Sequence, residues 1–312
     1  MATNNLRNLP RIRLCGPNQT FLQLAGSGQL PAAISKIQLR IPRRKTTESE
    51  NQASKQNGYL TFVGAAMCDI FALSAGYKYT AQKYLPIFAE KARENINGWG
   101  IGFFREGQAF LEKSTEQVFV GEQVHESFQR LARVIDSRII ISHISCPLSG
   151  GWHSTHNNPF TLPFLDHIWL FVNVGKDQDI DGYQTDKEPR IEADVSAARI
   201  FEYLRDQLIS HAEKYPYGTL YVALRECIRK LLSDYPGLYT FFLANESVLF
   251  GFSNSRQLLL LKKSEKLGDI LLVTSVGERL SPDEWLAIEA DENSQGKLMA
   301  IAGPDVLYLD DI

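Results

Sequence analysis

The sequence predicts an α+β protein in which two sheets carry helices on their outer sides. Three observations point there. Short apolar runs bounded by Gly, Pro or Asn read as strands. Windows with apolar residues every three to four positions read as helices. The two strongest helical windows lie between an early and a late set of strands, and that order buries two sheets with helices outside them.

The elements follow in order. Residues 68–75 (CDIFALSA) form a short apolar run, expected to be a buried strand. Residues 81–95 space Leu85, Phe88, Ala89 and Ala92 as a helix, with Pro86 in its first turn. Residues 98–104 leave a Gly-rich turn as a strand, and REGQ (105–108) turns into a partner strand at 109–113. A helix is predicted over 122–135 from Val124, Phe128, Leu131 and Val134, then a strand over 138–145. Residues 146–163 read as a Gly/Pro/His/Asn-rich loop, 166–175 as a strand and 176–190 as an acidic loop. Residues 196–209 and 220–235 are the strongest helices; Asp194 precedes the first as a candidate cap, and Leu224, Cys227, Ile228, Leu231 and Leu232 line the second. After Pro236-Gly237, strands at 238–244, 248–254, 257–263 and 269–275 fit an antiparallel meander.

Composition excludes several function classes. The 312 residues are 44% hydrophobic and 22% charged, enough apolar content for a large core. No apolar run reaches the roughly 18 residues of a membrane-spanning helix. The four cysteines (15, 68, 146, 227) show no CxxC pairing, which fits a reducing cytoplasm rather than a disulfide scaffold or zinc ribbon. No P-loop or GxGxxG signals a nucleotide, and neither cofactor nor metal is expected.

The net charge of -3 conceals a division. Residues 1–45 hold eight Lys or Arg and no Asp or Glu, leaving -11 for the rest, and a polar stretch (46–58) follows. Residues 1–66 therefore read as a leader that is disordered, removed or upstream of the true start, ahead of a domain over 68–312. The basic residues are scattered without interleaved aromatics, so nucleic acid is not the expected partner.

Cys68 is the most informative position. Met67 stands directly before it, so initiation there and loss of that methionine would leave Cys68 at the N-terminus. An N-terminal cysteine joins a thiol to its own α-amine, a base with a pKa near ~8, giving nucleophile and base in one residue. A buried strand cysteine is the alternative. In context, MCDIFALSA, NGWGIGFF, ISHIS before a Gly-rich loop and NPF, WLFVN, and AD before a helix resemble the class II glutamine amidotransferase family. Residues 239–260 and 270–289 resemble that family's late strand pair and closing stretch, so the likeness spans about 68–302.

The resemblance implies an N-terminal-nucleophile hydrolase fold, a four-layer αββα sandwich of two antiparallel sheets. It also implies a glutamine-like amide substrate and an ammonia-accepting partner protein. By position it makes Cys68 the nucleophile that forms a thioester. Asn173 and the backbone N–H of Val174 become oxyanion donors, Asp194 the holder of the substrate ammonium, and Gly98, Trp99 and Gly100 the turn beside the nucleophile. His143 and Ser145 occupy the family's His-x-Arg, so serine stands where the carboxylate-gripping arginine is expected. His-Asn-Gly has become Val172-Asn173-Val174, and His-Pro-Phe has become Asn158-Pro159-Phe160. Three readings remain open: another basic residue (Arg105 and Arg138 are near in sequence) replaces the arginine, the amide differs from glutamine, or the chain binds an amino-acid-like ligand or a protein without hydrolysis.

Other constellations read more plainly. His143, His153 and His156 lack the helix that would aim them at one metal, and Cys146 lies three residues from His143, on the opposite face of an extended chain. DQDIDG (177–182) lacks the downstream Glu of a calcium loop, and Cys227 belongs to a helical core face.

Overall fold

A computed structural model describes residues 68–92, 98–145, 158–177, 180–193, 195–276 and 285–312. In chain order these form β1 (Asp69–Thr80), α1 (Tyr84–Lys91), β2 (Trp99–Arg105), β3 (Gln108–Ser114), β4 (Phe119–Val120), β5 (Gln123–Val124), α2 (Glu126–Val134) and β6 (Asp136–Ile144). Then follow β7 (Phe160–Phe164), β8 (His167–Asp177), α3 (Ser196–Lys214), α4 (Leu220–Asp234), β9 (Gly237–Ala244) and β10 (Leu249–Ser253). The chain continues with β11 (Leu258–Glu265), β12 (Gly268–Thr274), β13 (Leu286–Ile288), β14 (Lys297–Ala302) and β15 (Asp305–Asp311). The predicted leader, residues 1–66, lies outside the described residues.

Two antiparallel sheets dominate. The first has the order β13-β11-β12-β1-β6-β2-β3, the second β15-β14-β10-β9-β8-β7. Each strand's two faces serve different cores, because successive side chains alternate. Ile70 and Ala72 of β1 meet Leu170, Val172, Phe242 and Met299 in a core between the sheets. Phe71 and Leu73 of the same strand pack outward with Leu85 and Phe88 of α1 and Phe128 of α2. Phe171 and Phe241 of the second sheet pack outward on Phe201 of α3 and Leu224 of α4. The result is the αββα order of layers. Burying both sheet faces explains why the strands read as continuous apolar runs rather than as an alternation.

Local chemistry sets the ends of elements. Glu106 and Gly107 both adopt positive φ (51° and 75°), as a two-residue hairpin between β2 and β3 requires. His125 caps α2, its Nδ1 accepting from Ser127 N–H at 3.3 Å, and Thr219 caps α4. Residue 195, a valine without a side-chain cap bond, holds the cap position of α3, so Asp194 falls one residue before it.

Several sequence expectations need correction. Helix α2 begins at Glu126 rather than 122, because Gln123 and Val124 pair with β4. Val134 is exposed, while Ala132 joins Phe128 in the core. Residues 160–163, expected in a loop, lie in β7. The late strands are not one meander: the β9–β10 hairpin lies in the second sheet and the β11–β12 hairpin in the first. Residues 254–257 therefore cross between sheets, and that crossover delivers Arg256 to the start of β1.

Candidate active site

The site grows from the end of the first sheet where β1 begins. Asp69 pairs with Ile144 and Ile144 with Trp99, so one step further Cys68, Ser145 and Gly98 lie side by side. The Ser145 N–H donates to the Gly98 carbonyl at 2.9 Å. By alternation with Ile70, Cys68 faces the inter-sheet core, and it packs there half-buried. Gly98 has φ of 93°, a conformation open to glycine, where the chain turns into β2.

The next row on the same face reads Ile70, His143, Gly100, Lys113. His143 is buried, and its Nδ1 lies 3.3 Å from Ser145 Oγ. Burial, with the nearby Lys113 charge as a smaller cause, holds its imidazole down to about 3, so the ring is neutral at pH 7. Lys113 is itself pulled down to about 8 by burial, and its Nζ sits 4.6 Å over the Phe160 ring. Among the described residues the Lys113 ammonium makes no salt bridge or hydrogen bond, its one cation–π contact being the Phe160 ring.

Asn158 closes the wall from the second sheet. It lies in register with Asn173 two positions before the start of β7, and its side-chain amide takes the place of a ladder strand. Asn158 Oδ1 accepts from Asn173 N–H at 3.2 Å, and its Nδ2 donates to the Asn173 carbonyl at 3.3 Å. Gly100 permits this approach: a Cβ there would stand 2.0 Å from the Asn158 carbonyl oxygen. Asn173 is buried on the same face of β8 as Phe171, the helix side of the second sheet and not the layer Cys68 faces, and among the described residues its Oδ1 has no hydrogen-bond partner. With Asn173 N–H turned toward Asn158, the next N–H, of Val174, is directed toward Thr240 of β9.

Trp99 points elsewhere. Its indole is buried against Phe128 of α2, edge-on at 5.1 Å, on the face opposite Cys68. Asp194 lies outside the described residues, as do Cys146, His153 and His156. Among the described residues no His/Cys/Asp/Glu group could hold a metal ion, and no helix is long and apolar enough to cross a membrane.

The two arginines near in sequence do not reach Cys68. Arg105 is exposed at the hairpin end of β2, and Arg138 is exposed near the start of β6, both at the far end of the sheet. The guanidinium that does reach it is Arg256. Nη1 donates to the Cys68 carbonyl, and Nη2 lies 3.0 Å from Asp69 Oδ1. Ser275 Oγ closes the ring, accepting from Ile70 N–H at 3.0 Å and donating to Asp69 Oδ1 at 3.2 Å. Sequence reasoning missed Arg256, Asp69, Ser275 and Lys113. The alternation along β2–β3 could have found Lys113; Asp69 and Ser275 meet through the long-range β1–β12 pairing, and Arg256 joins them through the sheet crossover.

Residues 67–288 match the family model described as Glutamine amidotransferases class-II, and the match opens one residue before Cys68. The chain belongs to the class-II glutamine amidotransferases. A relative among curated proteins is the uncharacterized protein MJ1515 of Methanocaldococcus jannaschii, 24% identical over 270 residues, 78% of this chain and 71% of that protein. Among solved structures, this amidotransferase chain is similar to a predicted glutamine amidotransferase from Pseudomonas aeruginosa PA01 (TM-score 0.53, 15% identity), covering 77% of this chain and all of that one. It is also similar to glutamine phosphoribosylpyrophosphate amidotransferase from B. subtilis (TM-score 0.54, 13% identity), where it covers 78% of itself and spans 49% of that enzyme. At these identities the structural likeness establishes the fold.

Proposed function

We propose that this chain is an amide hydrolase of the amidotransferase type, with Cys68 as an N-terminal nucleophile acting on glutamine or a related carboxamide. The supporting observation is the placement of Cys68 directly before β1, facing the inter-sheet layer beside Ser145 and Gly98. On this reading residues 1–66 are a leader absent from the active form, and Met67 is removed. The mature domain is then 68–312, working in the reducing cytoplasm.

The α-amine takes the thiol proton, and the sulfur attacks the carboxamide carbon. The carbonyl becomes a tetrahedral oxyanion; we assign its stabilisation to Asn173, whose side chain turns from the Phe171–Phe241 face to reach it, and one well-aimed donor of this kind is worth roughly 3 kcal/mol. Collapse breaks the C–N bond, and ammonia leaves with the proton returned by the α-ammonium. Water then cleaves the thioester, regenerating the thiol and releasing a carboxylic acid. The Val174 N–H, directed at β9, leaves Asn173 as the principal donor. We assign the substrate ammonium to Asp194 and the backbone beside it to Gly98 and Trp99. Its carboxylate goes to Ser145, backed by His143 and by Lys113 on the same face. Ammonia is passed to a partner protein or released.

The second reading is a member that binds an amino-acid-like ligand or a protein without hydrolysis. Ser145 in place of the family's arginine favours it, because a neutral hydroxyl grips a carboxylate less firmly. Two measurements separate the readings. Intact mass of the protein purified from its source should begin at Cys68. Ammonia release from glutamine and from a panel of carboxamides should be present in wild type and absent in Cys68→Ala. A retained leader, or equal inactivity of both proteins, refutes hydrolysis and leaves the binding reading.

A further inference from the structure

We infer that Arg256 is a positioning residue for Cys68: its guanidinium clamps the Cys68 carbonyl and holds a fixed positive charge there, favouring the deprotonated thiol–amine pair. The inference rests on the reading of Cys68 as the nucleophile. It adds a residue, contributed by the crossover between sheets, that tunes the ionisation of that nucleophile.

The geometry is a closed ring around the first residues of β1. Arg256 Nη1 donates to the Cys68 carbonyl and, at 3.4 Å, to Ser275 Oγ. Arg256 Nη2 meets Asp69 Oδ1 at 3.0 Å, and Ser275 ties that same oxygen to the Ile70 N–H. Three consecutive residues of the strand are thus held from one side. The arginine is held in turn. Ser253 Oγ accepts from Arg256 N–H at 3.1 Å and donates to its carbonyl at 2.5 Å, and Thr240 Oγ1 contacts Ser253 and Ser255 at 2.7 and 2.8 Å. A clasp built this way loses little freedom when a substrate arrives.

The charge matters because the site is largely shielded. The Arg256 side chain keeps only 17% of its exposure, so water screens it weakly. The carbonyl it grips belongs to the same residue as the α-nitrogen, so the guanidinium sits within a few ångströms of the proton acceptor. A nearby cation disfavours the ammonium and favours the thiolate. Both effects lower the pH at which the coupled pair loses its first proton. The other groups facing this end, among the described residues, are Asp69, the neutral His143 and, one row away, Lys113. Of these only Asp69 opposes the guanidinium, and its side chain lies on the outer face of β1, away from the thiol.

The test is the pH profile of Cys68 alkylation by iodoacetamide, read by mass on the protein as isolated, for wild type, Arg256→Met, Arg256→Lys and Asp69→Asn. Arg256→Met should move the acid limb up by about one pH unit, a tenfold slower reaction at pH 6 that recovers at high pH. Arg256→Lys should stay near wild type. Asp69→Asn, which unmasks the guanidinium, should move the limb down. A purely structural clasp would shift both charge-changing variants the same way or lower the plateau alone, and either result overturns the inference. Should Arg256→Met fail to fold, Arg256→Gln takes its place, and its upward shift against the downward shift of Asp69→Asn decides it. The intact mass reports the N-terminus separately, so a retained leader sinks the hydrolytic reading while the profile still reports whether the Arg256 charge acts on the thiol.

Discussion

The neutral, buried His143 makes the folded protein sensitive to mild acid. Its ring is fully enclosed and held down to about 3 by burial first and the Lys113 charge second, against an ordinary value of 6.5. The folded value is the lower one, so the unfolded chain binds the proton more readily. Stability from this group is present above about pH 6.5 and is lost as pH falls toward 3. For values of 6.5 and 3, the loss between pH 7 and pH 5 is about 2 kcal/mol, approaching 1.4 kcal/mol per further pH unit. Urea unfolding of wild type and His143→Asn at pH 7, 6 and 5 isolates this contribution, since the carboxylates common to both proteins cancel in the difference. The wild type should lose about 2 kcal/mol more than the variant across that range. Parallel pH dependences, or an imidazole proton resonance that titrates above pH 6 in the folded protein, would refute the reasoning.

Two further outcomes follow from the packing. Gly100→Ala should cost about 2–3 kcal/mol and lower the melting temperature, because its Cβ would stand 2.0 Å from the Asn158 carbonyl oxygen and 2.8 Å from Pro159 Cδ; an unchanged melting temperature would show that the β2–Asn158 contact is not as close as described. Arg205→Met should destabilise by about 3–5 kcal/mol, because Arg205 is buried on Asp206 at 2.8 Å and also donates to Thr185 and the Pro189 and Lys187 carbonyls. Limited proteolysis should then cut first within 183–191; cleavage no faster than in wild type would remove Arg205 as the staple of that segment.

Much of the site was legible because its motifs are local. Cys68 beside Met67, Gly98 before a strand, and the His143–Ser145 alternation all sit within short windows, and backbone pairing brings them together as their order implied. The site's electrostatics were not legible. Arg105 and Arg138 were nearest in sequence, yet each sits at the wrong end of its strand, seven residues from Gly98 and Ser145 of the Cys68 row. A strand rises about 3.3 Å per residue, so that offset removes them by more than a side chain's reach.

The order of residues along the chain determined the element types, the two helical layers and the candidate nucleophile, since periodicity and short motifs act within a few positions. Only the tertiary structure decided that the β9–β10 and β11–β12 hairpins belong to different sheets. Strand pairing over nearly 200 residues depends on which faces can be buried together, and no local pattern encodes it. That pairing is what sets an arginine from the crossover against the first carbonyl of β1.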